Sequence, residues 1–540
     1  MTRSLPAHGW TFADVFDHHA ARTPSALAVA HADGSVERTW LELRVRAHDV
    51  AGSLTALGLR RHDRVALALH NEPRYMESLY ALSVASMAHV NTNYRYSADE
   101  LVALWTDMDV AAVAFDEDLH DRVDAARREL PRVRWIACFG AGVDVPTWAI
   151  DYESLAGGDG SWEPSMRRSG DDPLIICTGG TTGRPKGVLW RQDDLLRALR
   201  IRAYGRTEAM PDAFDAALLD ELAPPPGPIG LPAAPLMHAT GLANGLSWLM
   251  AGGAAVTVPG AFRPEALLDA IDRYGVNVLT IVGNAFARPL LHALDASPGQ
   301  WTLASLQRIV SAGVAWSIDV RAGLLGHRPS LTLIDTLGAS EAIGMASAVS
   351  TIDQLQPDGV FALSVNGLLF DDDGNPLPDD APTGRLGVHG HVPLEYLADA
   401  ARTAEVFPVR GGRRHSVPGD IVHRLSDGRI RLVGRGSALV NTGGEKVYPD
   451  EVEAVVRAHP AIADVAVVGR PDHRWGEVVV AVVEPVESGV LDEASVVSWA
   501  KQHLAGYKVP RQFVVVDKLW RGPNGKLDHT ALKAMVAAHS

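Results

Sequence analysis

Short apolar runs alternate with stretches of helical periodicity over most of the chain. Residues 64–69 have the continuous apolar pattern of a buried strand, and a helical pattern follows at residues 75–88. Residues 278–282 and 307–310 repeat the strand pattern, with a helical stretch at 285–294 between them. Strands that alternate with helices in this way predict an α/β fold.

The pattern changes after Arg435, where a compact α+β module is predicted. Its predicted elements are helices near residues 450–458 and 494–504 and strands near residues 465–468, 478–483 and 512–516. About one hundred residues is enough for a small separate domain. We therefore predict an N-terminal domain of residues 1–436 and a C-terminal domain of residues 437–540, with a hinge near Ser437.

Length and charge narrow the class of protein. The 540 residues are 47% hydrophobic, which is enough for large cores in more than one domain. The formal net charge of −15 disfavours a nucleic-acid partner. No stretch approaches the ~18 consecutive apolar residues of a membrane helix, and the N-terminus lacks the apolar region of a signal peptide. We therefore expect a cytoplasmic protein without a transmembrane segment.

Metal chemistry based on cysteine or histidine is not predicted. Cys138 and Cys177 are the two cysteines, too few for a disulfide framework or a cysteine metal site, and we expect them in the core. The 21 histidines show no paired spacing with a carboxylate partner. No transition metal is therefore assigned.

Residues 179–187, with the sequence GGTTGRPKG, have the composition of a phosphate-binding loop. The glycines permit tight turns in which successive amides point into one concavity, and the threonine hydroxyls and Lys186 add donors and positive charge. The apolar residues 174–177 predict a strand directly before the loop. Pro185 before the lysine and Gly187 after it do not fit the loop of a P-loop nucleoside triphosphatase. From the loop alone, a glycine-rich turn with a surface lysine stays an alternative.

Three motifs together resemble the adenylate-forming superfamily, and the resemblance covers nearly the whole chain. They are the loop at 179–187, the segment 441–453 with the sequence NTGGEKVYPDEVE, and the segment 522–528 with the sequence GPNGKLD. Within the superfamily the chain is most similar to actinobacterial fatty-acid or steroid side-chain CoA ligases, as in residues 91–96. The resemblance implies a large N-terminal domain of two packed sheets with helices and a small β-subdomain, followed by a small mobile α+β domain.

The resemblance also implies a nucleotide site. It assigns nucleotide contacts to Thr178, Gly179, Gly180, Thr181, Thr182, Gly183, Gly313, Asp335, Thr336, Leu337, Gly338, Ser340, Asp420, Arg435 and Lys446. Leu337 replaces the usual aromatic residue and can still pack on the purine face. Ser340 replaces the usual threonine and can still donate a hydrogen bond to the α-phosphate. Asp420 and Arg435 correspond to the pair that holds the ribose. Glu341 offers a hard carboxylate oxygen of the kind that Mg²⁺ prefers.

Four residues are assigned to catalysis by the same resemblance: Lys186, His238, Glu341 and Lys526. Lys526 lies in the C-terminal motif, whose lysine bridges the substrate carboxylate and the α-phosphate. A preorganised ammonium there lowers the barrier by stabilising charge on the phosphate oxygens. His238 belongs to the motif that borders the passage for acid and thiol.

The acid side departs from the family pattern. His238, Ala239, Asn284 and Gly338 are the expected substrate contacts. Ala239 stands where close relatives have glycine, and Asn284 stands where aspartate is expected. Glu395 similarly replaces an expected glycine. These departures bear on the choice of acid and leave the nucleotide machinery unchanged.

The resemblance implies an AMP-forming acid–CoA ligase that uses ATP, Mg²⁺ and CoA. Its partners are then a small-molecule acid and CoA, with the assembly state open and a homodimer among the alternatives. The altered acid side keeps a second hypothesis, in which adenylation serves amide formation, carrier loading or activation of nitrite for diazotisation of an arylamine. A third hypothesis is a non-catalytic nucleotide-binding module. AMP release that depends on CoA supports the first hypothesis, whereas AMP release that depends on nitrite plus an amine supports the second.

Catalysis is predicted to need two orientations of the C-terminal domain, because Lys526 and the glycines at 443–444 lie too far apart in a small domain to share one active site. Ser437→Pro restricts φ at the hinge, so it should slow thioester formation more than adenylation. Separate measurement of the two half-reactions tests this. Normal rates for both would end the two-orientation account.

Overall fold

The structure is a computed structural model that describes residues 9–165, 167–178, 185–204, 210–258, 260, 262–313, 316–435, 440–486, 491–519 and 529–538. Side chains at 200–204, 434–435, 450 and 529–531 lie outside the description. The helices are α1 (Phe12–Arg22), α2 (Trp40–Ala56), α3 (Pro73–Val84), α4 (Ala98–Asp107), α5 (His120–Arg127), α6 (Tyr152–Leu155), α7 (Gln192–Tyr204), α8 (Ala216–Leu222), α9 (Ala239–Met250), α10 (Pro264–Tyr274), α11 (Gly283–Ala296), α12 (Ile318–His327), α13 (Ala400–Val406), α14 (Pro449–Arg457), α15 (Glu493–His503) and α16 (His529–Ala538).

The strands form three sheets in the described part of the chain. They are β1 (Leu27–His31), β2 (Glu37–Thr39), β3 (Arg64–Ala68), β4 (Ala88–Asn91), β5 (Val110–Phe115), β6 (Arg134–Ala137), β7 (Ile150–Asp151), β8 (Pro173–Thr178), β9 (Lys186–Arg191), β10 (Ile229–Pro232), β11 (Ala254–Thr257), β12 (Val278–Ile281), β13 (Arg308–Ala312), β14 (Thr332–Ala339), β15 (Ala342–Ser350), β16 (Val360–Leu363), β17 (Gly367–Phe370), β18 (Thr383–His389), β19 (Glu395–Tyr396), β20 (Val409–Arg410), β21 (Arg413–Ser416), β22 (Asp420–Arg424), β23 (Ile430–Arg435), β24 (Val440–Thr442), β25 (Glu445–Val447), β26 (Ile462–Asp472), β27 (Gly476–Pro485) and β28 (Gln512–Val515).

The first sheet has the order β19-β9-β8-β4-β3-β5-β6-β7. The strands from β8 to β7 run parallel, whereas β9 and β19 add antiparallel partners at one edge. Two apolar cores cover its faces, one built with α1 to α3, α7 and α9 and the other with α4 and α5. Burial of both faces explains the continuous apolar runs that mark these strands in the sequence.

The second sheet begins as a parallel sheet in the order β1-β11-β10-β12-β13-β14, with β2 antiparallel at its edge. Helices α10, α11 and α12 pack on it. From β14 onward the pairing is antiparallel through β15, β16, β23, β22, β18, β21 and β20. The antiparallel continuation corresponds to the small β-subdomain that the family resemblance implies.

The C-terminal residues form a third sheet, β25-β24-β27-β26, with β28 parallel to β27. Helices α14 and α15 cover one face and α16 covers the other, so the small domain has cores of its own. The mixed α/β texture with a smaller C-terminal α+β domain is therefore confirmed. The predicted hinge at Ser437 and the boundary at residues 436 and 437 lie outside the described residues and stay predictions.

Most predicted elements coincide with observed ones, although several boundaries differ by a few residues. The helix expected at residues 75–88 is α3, which ends at Val84 because the chain turns at Ser86, with a φ of 55°, and enters β4 at Ala88. Residues 371–376 form the turn region that follows β17 in the β17–β18 pair. In the described ranges, no helix is long and apolar enough to cross a membrane.

A buried polar network ties α1 to the body of the N-terminal domain. Asp17 accepts hydrogen bonds from His48 Nε2 at 2.9 Å, from the Tyr80 hydroxyl at 2.5 Å and from Arg168 at 2.7 Å. Burial opposes ionisation of this carboxyl, but the bond from His48 and the charge of Arg168 outweigh it and lower the pKa of Asp17 to about 2. The carboxylate is therefore more stable in the folded chain than in the unfolded one.

Asp17→Asn should lower the free energy of unfolding at pH 7 by about 2 kcal/mol, the equivalent of the pKa difference between 3.8 and about 2. A carboxyl with a depressed pKa stabilises the fold above pH 4, and this contribution disappears as the pH falls toward 2. The stability gap between variant and parent should therefore close over that range in thermal or denaturant unfolding. Exposed Asp353 provides the matched control Asp353→Asn. A gap that does not depend on pH would contradict this role for the carboxylate.

Candidate active site

A cavity lies where the carboxyl ends of parallel strands from both N-terminal sheets meet the C-terminal domain. Strands β4 and β8 of the first sheet end there, as do β10, β12, β13 and β14 of the second. Open α/β sheets bind ligands at this edge. Residues that line the cavity include Asn91, Asn93, Arg95, Thr178, Pro235, His238, Ala239, Ala243, Val282, Phe286, Gly313, Thr336, Gly338, Ser340, Ile343, Gly443, Gly444, Glu445, Lys446, Glu451, Tyr507 and Lys508.

The turn between β14 and β15 places Ser340 and Glu341 beside the cavity. Trp190 Nε1 donates to the Ser340 carbonyl at 3.0 Å, and Ser416 Oγ donates to the Glu341 carbonyl at 2.7 Å. The buried Glu341 carboxylate accepts a 2.6 Å hydrogen bond from the Tyr396 hydroxyl. Burial and the charge of Glu341 raise the pKa of Tyr396, so the hydroxyl keeps its proton and donates.

Lys186 is held at the same edge of the first sheet. It begins β9, its Nζ lies 2.7 Å from Asp399 Oδ2, and it lies 5.9 Å from the centre of the Tyr396 ring. Because β19 pairs with β9, Tyr396 is fixed next to the strand that carries Lys186. The short segment 395–399 thus contacts both Lys186 and Glu341, which the sequence assigned to phosphate and metal.

The other expected adenine and phosphate contacts lie along the end of β14. The Thr336 hydroxyl donates to the Ser311 carbonyl at 2.9 Å and also lines the cavity with Gly338 and Ser340. Burial raises the pKa of Asp335 to about 7, although Arg321 opposes the shift. Leu337 packs at the edge of the core formed by β15 to β18 and β22.

The expected ribose pair is brought together by strand pairing. Asp420 in β22 lies directly opposite Arg435 in the antiparallel register with β23. Asp420 is buried, with 8% of its surface exposed. Residues about fifteen positions apart in the chain therefore become neighbours, as a shared ligand requires.

His238 precedes the first turn of α9 and faces the C-terminal domain. Its Nε2 lies 3.0 Å from Glu445 Oε2, an ion-pair distance without the alignment of a hydrogen bond. Ala239 follows it at the start of the helix and lines the cavity. The expected position of His238 between acid and thiol passages is thus next to a residue of the other domain.

The hairpin of β24 and β25 closes one side of the cavity. Its turn residues Gly443 and Gly444 have φ angles of 58° and 88°, which favour glycine. A Cβ atom on Gly444 would lie 2.8 Å from Val282 Cγ1, so the hairpin fits against the N-terminal domain only without a side chain at this position. Lys446 on β25 also lines the cavity.

Glu445 carries the charge of this interdomain contact. Its carboxylate is buried and contacts Arg95, His238 and Asn93 of the N-terminal domain, the amide of Asn93 at 3.5 Å. Burial raises its pKa, but His238 and then Arg95 outweigh burial and lower the pKa of Glu445 to about 2. The hairpin is therefore docked through an ionised, charge-paired carboxylate.

Some predicted residues lie away from the cavity or outside the described residues. The Asn284 side chain forms hydrogen bonds with Ser317, and Asn284 is not among the described residues that line the cavity. Glu395 lies exposed on β19. Gly179, Gly180, Thr181, Thr182, Gly183 and Lys526 lie outside the described residues.

Sequence reasoning did not assign roles to Tyr396, Asp399 or Glu445. Glu445 directly follows the two hairpin glycines, and this adjacency could have indicated that it contacts the other domain. No local pattern signals Tyr396 or Asp399, because their partners are distant in the sequence.

Comparison with known proteins identifies the family. The pattern described as AMP-binding enzyme matches residues 16–396, and that of the AMP-binding enzyme C-terminal domain matches residues 451–526. A medium/long-chain-fatty-acid–CoA/3-oxocholest-4-en-26-oate–CoA ligase of Mycolicibacterium smegmatis is 33% identical, with 96% of this chain and 95% of the relative covered. A 3-oxocholest-4-en-26-oate–CoA ligase of Rhodococcus rhodochrous is 34% identical, with 96% and 94% covered.

Solved structures share the fold. The amide bond synthetase McbA from Marinactinospora thermotolerans superimposes with a TM-score of 0.78 at 23% identity over 97% of this chain and 99% of that one. The o-succinylbenzoate CoA synthetase MenE from Bacillus subtilis gives 0.78 at 21% identity over 96% and 97%. Because the family pattern spans most of the chain and relatives above 30% identity cover nearly all of it, the chain belongs to the AMP-binding enzyme family of adenylate-forming proteins.

Proposed function

We propose that the chain is an AMP-forming ligase that joins an apolar monocarboxylic acid to CoA. The observation that carries the proposal is the docking of the Gly443–Gly444 hairpin beside His238, at a cavity that also contains Thr336 and Ser340. A site with nucleotide contacts on one side and a hinged domain on the other suits a reaction in two steps. Relatives named as CoA ligases support the same activity.

In the first step the acid carboxylate attacks the α-phosphorus of ATP, and pyrophosphate leaves. Lys186 and Ser340 bind phosphate oxygens, and Lys526 neutralises charge on the α-phosphate. Glu341 fits the requirements of a Mg²⁺ ligand, since its buried carboxylate offers hard oxygen atoms and is held by the Tyr396 hydroxyl. Bound Mg²⁺ would neutralise phosphate charge, while Tyr396 orients the Glu341 carboxylate.

In the second step the thiol of CoA attacks the acyl carbonyl of the adenylate. The carbon–sulfur bond forms, the bond to the AMP oxygen breaks, and the thiol loses its proton. Because Gly444 has no side chain, the hairpin packs directly against Val282 and lies next to His238, where we expect the thiol arm of CoA to reach the carbonyl. Lys446 lies on the same hairpin and lines the cavity, and we expect its ammonium group to bind phosphate there.

The acid class follows from the walls of the cavity. Around α9 the lining side chains Ala239, Ala243, Ile343 and Phe286 are apolar. Apart from His238, the acidic and basic side chains among the described lining residues are Arg95 and residues of the C-terminal domain. A second carboxylate on the acid would lose its hydration at the apolar wall without gaining a partner. The names of the relatives, which refer to fatty acids and an oxocholestenoate, agree with an apolar acid.

The CoA-independent alternative rested on Ala239, Asn284 and Glu395. Of these residues, only Ala239 lines the cavity. We therefore keep nitrite plus an arylamine only as a condition to be tested in the assay. Acid-dependent exchange of pyrophosphate into ATP, followed by CoA-dependent thioester formation, is expected from a panel of apolar acids. AMP release that requires nitrite and an amine and ignores CoA would overturn the ligase proposal.

Lys526→Ala should reduce pyrophosphate exchange by about a hundredfold, because a charge that stabilises the first transition state is lost. Transfer of a supplied acyl-adenylate to CoA should continue, since this lysine acts only in the first step. Lys518→Ala, at an exposed lysine of the same domain, is the matched control. Undiminished exchange would remove Lys526 from catalysis.

Tyr396→Phe removes the hydroxyl that orients Glu341 while it keeps the ring. The Mg²⁺ concentration for half-maximal pyrophosphate exchange should rise by about tenfold, which is typical of losing a partner behind a metal ligand. Titration with Mg²⁺, and with Mn²⁺ as a spectroscopic probe, measures the change. Tyr274→Phe, which removes a hydroxyl bonded to His31 and Glu37, is the control. An unchanged metal requirement would contradict the role of Glu341 as the metal ligand oriented by Tyr396.

A further inference from the structure

Lys508 is a buried cation at the boundary between the domains. It follows Tyr507 in the segment between α15 and β28, and 3% of its surface is exposed. Burial favours the neutral amine, but Glu451 and Glu100 outweigh burial and raise the pKa of Lys508. The side chain therefore keeps its positive charge although it is almost fully buried at the wall of the cavity, and its stability depends on the two carboxylates.

The two carboxylates belong to different domains. Lys508 Nζ lies 2.6 Å from Glu451 Oε1 on α14 of its own domain. It lies 2.7 Å from Glu100 Oε1 on α4 of the N-terminal domain. The rings of Tyr96 and Tyr507 flank the ammonium, with centres at 4.8 Å and 5.7 Å. One ion pair is internal to the C-terminal domain, and the other spans the boundary.

Glu100 is held ready for this contact by the start of its own helix. Its Oε2 accepts a 2.8 Å hydrogen bond from the Ser97 amide, and the Ser97 hydroxyl caps α4 in return. This capping box fixes the side chain, so that Oε1 points at Lys508. The ion pair therefore forms with little further loss of side-chain freedom.

We propose that Glu100 and Lys508 are positioning residues that hold the C-terminal domain in the orientation for thioester formation. The proposal rests on the two-step function above. The Glu100–Lys508 pair forms in the orientation that also docks the Gly443–Gly444 hairpin on the cavity. Rotation of the domain breaks it, after which Glu100 is hydrated and Lys508 keeps Glu451.

This division of partners makes the contact reversible. If Glu100 were the only carboxylate partner of Lys508, breaking the pair would leave an uncompensated buried charge. This cost would lock the domain in one orientation. Glu451 prevents this, because it moves with Lys508. The pair therefore favours one orientation without preventing the other, as a domain that alternates during each turnover requires.

Glu100→Gln tests the pair without disturbing the helix cap. The amide oxygen of the glutamine can still accept the hydrogen bond from the Ser97 amide. The amide nitrogen and the loss of negative charge remove the attraction for Lys508. Transfer of pre-formed acyl-adenylate to CoA should slow by at least about tenfold at saturating CoA, since a buried ion pair loses one partner. Pyrophosphate exchange should stay unchanged. Asp99→Asn, at an exposed aspartate in the same turn of α4, is the matched control and should leave both rates unchanged.

A double-mutant cycle distinguishes this pair from separate effects on folding or on CoA binding. If the two side chains act together, Glu100→Gln combined with Lys508→Met should be no slower in thioester formation than Lys508→Met alone. Additive losses, a normal transfer rate in Glu100→Gln, or an effect only on the CoA concentration required would each overturn the proposal. Failure of every acid to support exchange in the parent protein would instead overturn the proposed function.

Discussion

Parallel strands of two separate sheets end at one place, and every part of the candidate site depends on this convergence. The ends of β4 and β8 provide Asn91 and Thr178, whereas the ends of β13 and β14 provide Gly313 and Thr336. Backbone groups and short polar side chains are available at strand ends, where the sheet no longer pairs them. A ligand can therefore contact both sheets at once, and the C-terminal domain can cover it from the third side.

Coverage by the C-terminal domain buries charged side chains at the boundary between the domains. Glu445 is paired with Arg95 and His238, and Lys508 is paired with Glu100. Buried ion pairs contribute little net stability because desolvation offsets their attraction, yet they are specific in geometry. Such contacts suit the rotation that we propose for the C-terminal domain, because they favour one orientation and can still be released. A purely apolar boundary of the same area would hold more strongly and distinguish orientations less.

At the same cavity, an edge strand organises the two side chains that the family resemblance assigns to phosphate and metal. The two residues of β19 add to β9 and bring Tyr396 to Glu341, while the following turn brings Asp399 to Lys186. In the structure the charges of Lys186 and Glu341 therefore have partners on a single segment. Because that segment contacts both groups, a change in its position alters both together.

The sequence by itself determined the fold class, the two-part organisation and the types of residue in the site, because these depend on local periodicity and on short motifs. Alternating apolar runs predicted the α/β texture, and the motifs at residues 179–187 and 441–453 indicated the family. Strand pairing and domain docking were decided only by the tertiary structure. Tyr396 meets Glu341 through an edge strand, and Glu100 meets Lys508 across two domains. Each of these contacts joins residues whose separation along the chain carries no local signal, since it is the packing of distant elements that brings them together.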